Sequence, residues 1–185
     1  ECAKDAGVLI VAGDTKVIDG DGGVYINTTG IGIVPNEKDI SIFNCNVGDA
    51  VIVSGTLGDH HAAILSERMN IENDIKSDCA VLGEIVNVLL DNGIQVKAMR
   101  DITRGGLGTI LNEIAAASNV SIEIQEDEIP VSPQVKGFCG ILGLDPLYMG
   151  NEGKLVVIID DNDKVDMGDP NPDYILGLNT SLSYK

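Results

Sequence analysis

The sequence predicts a fold in the α/β or α+β class, with helices packed on a mixed sheet, and three observations support this prediction. From residue 49 onward, short apolar runs typical of strands alternate with segments that have helical periodicity. The composition is 44% hydrophobic but only 3% aromatic, so the core must consist mostly of Val, Ile, Leu and Ala. The 22 glycines stand in recognisable turns and form no low-complexity tract, which argues for an ordered globular chain.

The first 46 residues predict the end of a helix followed by strands. ECAKDAG (1–7) is typical of a last helical turn, with Gly7 as its stop signal. VLIVAG (8–13) predicts a short buried strand. The turn-forming stretch DGDGG (19–23) separates TKVI from VYINTTGIGIV, which predicts a hairpin, and a loop containing Pro35 and Asn44 follows. We expect a domain boundary near residue 46.

Beyond that boundary, the first two helices each follow a polar segment. The strand AVIVS (50–54) leads through a glycine turn into a helix over 60–69, with Asp59 as its candidate N-cap. SDCAVLGEIVNVLLDNG (77–93) predicts a second helix, capped by Ser77 or Asp78 and ended by Gly93. Its expected apolar face comprises Leu82, Ile85, Val86, Leu89 and Leu90.

The rest of this region predicts three strands and one further helix. IQVKAM (94–99) alternates as a strand does, and a helix follows over 105–118. VSIEIQ (120–125) and GKLVVIID (153–160) supply the other strands. The residues that the helix should bury are Leu107, Ile110, Leu111, Ile114 and Ala115.

Charge and cysteine content exclude several classes of function. The 12 basic and 29 acidic residues give a net charge of −17, which repels nucleic acids and anionic membranes. A phosphate ligand stays possible, because a few backbone N–H groups and one or two cations can bind it locally. The four cysteines are widely spaced and favour reduced thiols in a cytoplasmic protein. No membrane span or signal peptide is visible in the sequence.

The stretch RDITRGGLGTILNEIAAAS (100–118) concentrates special residues where a strand passes into a helix. The helix start attracts anions, Gly105 and Gly106 would let a ligand approach the backbone, and Arg104 offers donors suited to phosphate. Asp101 or Thr103 would cap the helix or hold a metal or a ligand hydroxyl. A capped helix with a tight glycine turn and a surface Arg explains the stretch equally well, because short glycine motifs are weak signals.

SGTLGDHHA (54–62) repeats this order of strand, glycine turn, polar residue and helix, which makes an anion site more credible. His60 and His61 are adjacent, so on a helix their side chains diverge by about 100° and cannot easily share one metal ion. A helix start with one partly exposed histidine is therefore favoured over zinc binding.

Two turns that contain acidic residues are further candidates for a functional site. GDTKV (13–17) places Asp14, Thr15 and Lys16 at the end of the predicted strand, where an acid suits Mg²⁺ and a lysine suits phosphate or acid–base chemistry. Solvated charges at the entry to a hairpin are the simpler interpretation. MGNEGKL (149–155) places Glu152 in a glycine turn before a strand, either as a general base or as an ordinary turn acid.

In order along the chain, GDTKV, INTTGIG, VIVSGTLGDHHAAIL, SDCAVL, RDITRGGLGTILNEIA, PVSPQVKGFCGILGLDPL and NEGKLVV closely resemble the HypE family of hydrogenase maturation proteins. That family belongs to the ATP-binding superfamily of aminoimidazole ribonucleotide synthase and selenophosphate synthetase. The resemblance extends from residue 1 to about residue 160. It implies a PurM-like architecture of two α/β domains with ATP and Mg²⁺ between them.

The resemblance also implies a reaction and partners. A carbamoyl group, received from HypF on a C-terminal cysteine, is phosphorylated by ATP and loses phosphate and a proton to become a thiocyanate. The cyano group then passes to iron on the HypC–HypD complex for nickel–iron hydrogenase. By the same resemblance, the N-terminal domain pairs in a homodimer.

Carried over residue by residue, the resemblance makes Lys16 and Glu152 the catalytic pair that removes a proton from the carbamoyl nitrogen. Asp14 would be the acid for Mg²⁺ or nucleotide. The remaining residues expected to contact nucleotide are Thr15, Asp101, Thr103, Arg104, Gly105 and Gly106.

The sequence departs from the family pattern at both ends, which predicts a fragment. Residues 1–46 would be the last part of an incomplete N-terminal domain, 47–165 a truncated C-terminal domain and 166–185 an atypical tail. The family ends in a Pro-Arg-(Ile or Val)-Cys motif, whereas this chain ends in SLSYK, so the nucleophile role is assigned to no cysteine here. We expect no turnover from this chain alone. Two alternatives stay open: another enzyme of the superfamily, such as selenophosphate synthetase or thiamine-phosphate kinase, or a non-catalytic assembly module.

Overall fold

A computed structural model describes residues 1–20, 22–34, 38–160, 163 and 182–183. The chain divides into two compact units, Glu1–Asp39 and Ile40–Lys185. Three earlier predictions lie wholly or partly outside the described residues: Asp21 of the hairpin turn, Pro35 of the following loop, and the tail 166–185 apart from residues 182–183.

The first unit contains the short helix α1 (Cys2–Asp5), and the described part of this unit contains no strand. Helix α1 is followed by Gly7 at a φ of 67°, as the sequence predicted. The predictions of a buried strand over 8–13 and of a hairpin after it are wrong for this structure, since the side chain of Val11 is 90% exposed. A strand needs a neighbour for its backbone N–H and C=O groups, and the described residues of this unit provide no such neighbour.

The second unit is built on a three-stranded sheet. Strands β1 (Ala50–Val53) and β2 (Val96–Asp101) both pair antiparallel with β4 (Leu155–Ile159), which lies between them. All five residues of β4 are buried, as expected for a central strand that is covered on both faces. A second ladder pairs β3 (Ser121–Ile122) with β5 (Leu182–Ser183).

The described part of this unit contains the helices α2 (Asp59–Met69), α3 (Gly83–Asp91), α4 (Gly106–Ser118) and α5 (Pro133–Leu142). Short 3₁₀ turns cover Glu126–Glu128 and Pro146–Tyr148. Helix α5 was not predicted, although Ser132 caps it through its side chain, Pro133 begins it and Gly143 follows it at a φ of 67°. No helix in the described part of the chain is long and apolar enough to cross a membrane.

Successive side chains of β4 lie on opposite faces of the sheet and therefore pack into two separate cores. Val156 and Ile158 join the buried residues of α4, so the predicted face of that helix is confirmed at Leu107, Ile110, Leu111 and Ile114, while Ala115 is only half-buried. Leu155, Val157 and Ile159 contact the apolar residues of α3. The predicted apolar face of the second helix is therefore confirmed.

Three predicted helix starts are corrected by the structure. Asp59 is the first helical residue of α2, and Gly58 at a φ of 88° is its N-cap. Helix α3 begins at Gly83, so Ser77 and Asp78 cap nothing; their side chains bind His60 and the Glu152 N–H group instead. Gly105, at a φ of 88°, is the N-cap of α4, so neither Asp101 nor Thr103 caps that helix.

Candidate active site

A cavity of about 480 Å³ opens in the second unit where the start of α4 meets the segment before β4. Its lining residues comprise an arginine, a glutamate, a histidine, a threonine, a tyrosine and two glycines. The lining residues are His61, Thr103, Arg104, Gly105, Tyr148, Gly150 and Glu152. The structure therefore brings together the predicted residues Thr103, Arg104, Gly105 and Glu152.

The connection from β2 to α4 forms one wall of this cavity. Ile102 is fully buried and anchors the segment, while Arg104 remains exposed beside the opening. Gly106 has a φ of 66°, and a Cβ atom there would lie 2.5 Å from the Leu147 carbonyl oxygen. Only glycine allows α4 to begin this close to the 3₁₀ turn, so the second glycine of TRGG serves packing and does not line the cavity.

The facing wall is fastened to the first by backbone hydrogen bonds. The Asn151 N–H group donates to the Ile102 carbonyl at 2.9 Å, and the Ile102 N–H group donates to the Lys154 carbonyl at 2.9 Å. The start of α2 joins the same wall, because the His61 N–H group donates to the Gly150 carbonyl at 3.2 Å. The three loops therefore form one connected framework.

Asn151 completes this framework with its buried side-chain amide. Its oxygen accepts the Gly58 N–H group at 2.8 Å, and its NH₂ group donates to the carbonyls of Ile102 (3.1 Å) and Met149 (3.0 Å). The residue is fully buried, so breaking these bonds would leave polar groups unpaired inside the protein. Asn151 thereby fixes the backbone immediately before Glu152.

Glu152 is held at its backbone but is half-exposed at its carboxylate. Its N–H group donates to Asp78 Oδ1 at 3.0 Å, and its Oε1 atom lies 4.0 Å from His60 Nε2. The Asp78 side chain is 3% exposed, and its Oδ2 atom lies 3.8 Å from Lys154 Nζ. Gly153 is required here, because a Cβ atom would collide with the Asp78 carbonyl.

The remaining predicted residues lie outside this cavity. Asp101 is exposed at the end of β2, opposite Leu155 of β4. Asp14, Thr15 and Lys16 belong to the first unit, where Asp14 Oδ2 and Lys16 Nζ form an exposed ion pair at 3.4 Å.

The described residues contain no group of three or more metal-ligating side chains that could hold an ion. Asp14 offers one carboxylate. That donor fits a magnesium ion held mainly by nucleotide phosphates, and it does not form a metal site by itself.

Sequence reasoning did not assign five residues to this region: His60, His61, Asp78, Tyr148 and Asn151. Asp78 and Ser77 were interpreted as caps, because Ser and Asp before an apolar run usually have that role. Asn151 adjoins a residue that was identified, but nothing in its sequence context distinguishes a buried amide from an exposed one.

The chain is similar to known proteins over most of its length. Residues 46–167 match the family model of the AIR synthase related protein, C-terminal domain. A putative hydrogenase expression/formation protein of Methanocaldococcus jannaschii is 49% identical over 165 residues, which cover 88% of this chain and 49% of that protein. The carbamoyl dehydratase HypE of Cupriavidus necator is 51% identical over 161 residues, or 84% of this chain and 46% of the relative. The chain thus spans about half the length of these relatives.

Solved structures from the HypE family also superpose on this chain. HypE in a HypE–HypF complex superposes with a TM-score of 0.69 at 34% identity, covering 80% of this chain and 50% of that one. A HypE structure in complex with ATP gives a TM-score of 0.65 at 42% identity, covering 66% of this chain and 37% of that one. A thiamine-monophosphate kinase bound to AMPPCP and TMP gives 0.60 at 22% identity, covering 79% of this chain and 48% of that one, which shows a shared fold alone.

Proposed function

Because the chain belongs to the HypE family of hydrogenase maturation proteins, within the PurM-like superfamily, we propose that it contributes to the ATP-dependent dehydration of a cysteine-bound carbamoyl group. The product would be a thiocyanate that supplies cyanide ligands to nickel–iron hydrogenase. One observation carries the proposal: Arg104 and Glu152 line the same cavity, as a phosphate-binding cation and a candidate base should.

The proposed dehydration requires both the guanidinium of Arg104 and the carboxylate of Glu152. A carbamoyl oxygen leaves only after phosphorylation, so the site must hold the transferred phosphate, and Arg104 offers a planar set of donors for it. The carbamoyl nitrogen must also lose its protons for the triple bond to form, and a carboxylate on a fixed backbone can accept one. We assign that role to Glu152, with Lys16 as its proposed partner.

The nucleotide is proposed to contact several further residues. Thr103, Gly105 and the start of α4 would accommodate the phosphates, whereas Gly106 would act through packing. Asp14 would hold Mg²⁺ together with phosphate oxygens, a bound Mg²⁺ would neutralise phosphate charge, and Thr15 and Asp101 complete the proposed set. ATP itself is supported by the HypE structure described in complex with ATP.

Membership of the HypE family also supports proposals about the partners of this protein. The HypE–HypF complex supports HypF as a partner. We propose that HypF is the carbamoyl donor and that the HypC–HypD complex is the cyano acceptor. We also propose a homodimer and a cytoplasmic location, the latter supported by four cysteines that are all free thiols.

A paired substitution tests this function in the protein at its full natural length. Glu152→Gln removes the base but keeps the size and polarity of the side chain, so thiocyanate formation with ATP and carbamoyl donor should fall at least about 100-fold. Glu84→Gln, at an exposed position in the first turn of α3, is the matched control and should retain full activity. An active Glu152→Gln protein would contradict the assignment. Nucleotide binding without turnover by the full-length wild-type protein would favour the assembly module.

A further inference from the structure

We propose that His60 is a positioning residue for Glu152, directing its carboxylate and receiving the proton that it collects. The proposal rests on the proposed function, because it gives the base of that reaction an exit for its proton. It assigns a role to a histidine that the sequence favoured as a partly exposed residue at a helix start.

The His60 imidazole lies beside the Glu152 carboxylate, and Ser77 lies close to its other ring nitrogen. His60 Nε2 lies 4.0 Å from Glu152 Oε1, and His60 Nδ1 lies 2.8 Å from Ser77 Oγ. The imidazole is 24% exposed and the Glu152 side chain 49% exposed, so the ring is the more enclosed of the two groups.

Ser77 holds the side of the ring that faces away from Glu152. Its Oγ atom lies 2.8 Å from His60 Nδ1 and also accepts the Cys79 N–H group at 3.3 Å. The proposed proton transfer requires the neutral tautomer with its hydrogen on Nδ1, because that form presents the lone pair of Nε2 toward Glu152. Since Nε2 and Glu152 Oε1 are 4.0 Å apart, the proton would pass through one bridging water.

The proposed reaction requires such an exit. Conversion of R–S–C(=O)–NH₂ and ATP into R–S–C≡N, ADP and inorganic phosphate removes two protons from nitrogen. One remains on the released hydrogen phosphate, and the other is a net proton released in each turnover. A carboxylate that has accepted this proton must lose it before it can act again, and the neighbouring His60 imidazole is the proposed acceptor.

The other ionisable groups near Glu152 have different contacts. Asp78 Oδ1 accepts the Glu152 N–H group, while its Oδ2 is buried without a hydrogen bond at 3.8 Å from Lys154 Nζ. His61 lines the cavity together with Glu152, and its Nδ1 atom accepts the Gly150 N–H group at 3.5 Å. Among the described residues, His60 is the imidazole whose nitrogen forms a contact with the Glu152 carboxylate.

Chemical rescue tests the proposal in the full-length protein loaded by HypF. His60→Ala should lower kcat for thiocyanate formation at least about tenfold while KM for ATP stays within about twofold, and added imidazole should restore part of kcat. His60→Gln can still bond to Ser77 but cannot carry a proton at neutral pH, so it should be as slow as His60→Ala. An unchanged kcat in either variant, or a loss that imidazole does not restore in a His60→Ala protein with native thermal stability, would overturn the proposal.

Glu152→Gln, assayed in parallel, separates the two hypotheses. If this variant is inactive with or without imidazole while His60→Ala keeps full activity, only the role of His60 fails. If Glu152→Gln retains activity, the proposed function fails and the role of His60 fails with it.

Discussion

Single residues in this protein differ greatly in how far the sequence reveals them. Glu152 was found because an acid flanked by glycine before a strand is a recognisable pattern. Asn151 beside it carries three buried hydrogen bonds, yet those bonds join residues 93, 49 and 2 positions away. Local sequence cannot predict partners that the fold brings together.

Asp49 gives a prediction at this scale. Burial raises the pKa of its carboxyl above the ordinary value, although the Asn46 N–H group donates to Oδ2 at 2.7 Å. A raised folded pKa means that the contribution of Asp49 to stability is complete below pH ~4 and is lost as the pH rises through the folded value. Asp49→Asn keeps an acceptor for Asn46 but cannot ionise, so it should gain stability relative to wild type as the pH rises.

Urea unfolding at pH 4 and pH 7 measures this effect. The difference in unfolding free energy, variant minus wild type, should be more positive at pH 7. Asp74→Asn, at an exposed position, should give the same difference at both pH values. If the difference for Asp49→Asn is equal at both pH values, burial does not raise the pKa of the Asp49 carboxyl in the folded protein.

At the scale of elements, periodicity predicted the second unit well and the first unit poorly. The positions of β1, β2, β4 and α4 follow directly from the sequence, because each element buries its own apolar residues. Helix α2 was also predicted, and it packs through Ala62 and Leu65 in a separate cluster. Helix α3 begins six residues after the predicted start at 77, since Ser77 and Asp78 are used by His60 and Glu152. The apolar pattern over 8–13 predicted a strand, but a pattern cannot supply the neighbour that a strand requires.

The start of α4 gives a prediction at this scale. Gly106→Ala places a methyl group against the Leu147 carbonyl at a φ of 66°, so we expect a loss of more than ~1 kcal/mol in unfolding free energy and weaker ATP binding. Gly137→Ala, inside α5 with no atom within 4 Å of the added Cβ, should instead gain about 0.5–1 kcal/mol. Urea unfolding and calorimetric ATP titration measure both effects. Equal stability of the two variants would show that the close contact at Gly106 is not required.

At the scale of the whole molecule, the order of motifs was more informative than any single motif. TRGG and NEGK are each weak signals, and the structure joins them through the hydrogen bonds between residues 102 and 151–154. Thr103, Arg104, Gly105 and Glu152 line one cavity, as the order of the motifs led us to expect, and their role in a functional site stays a prediction. The contribution of His60 and Asp78 could not be predicted, because their partners lie 92 and 74 positions away along the chain.

The central claim is that this cavity and the GDTKV segment serve one triphosphate. A crystal structure of the full-length protein with a non-hydrolysable ATP analogue tests it most directly. We predict a phosphate oxygen within hydrogen-bond distance of the Arg104 guanidinium, with the side chains of Lys16 and Glu152 facing the same cleft. A triphosphate bound away from Arg104, with Lys16 and Glu152 on opposite faces of the protein, would contradict the account.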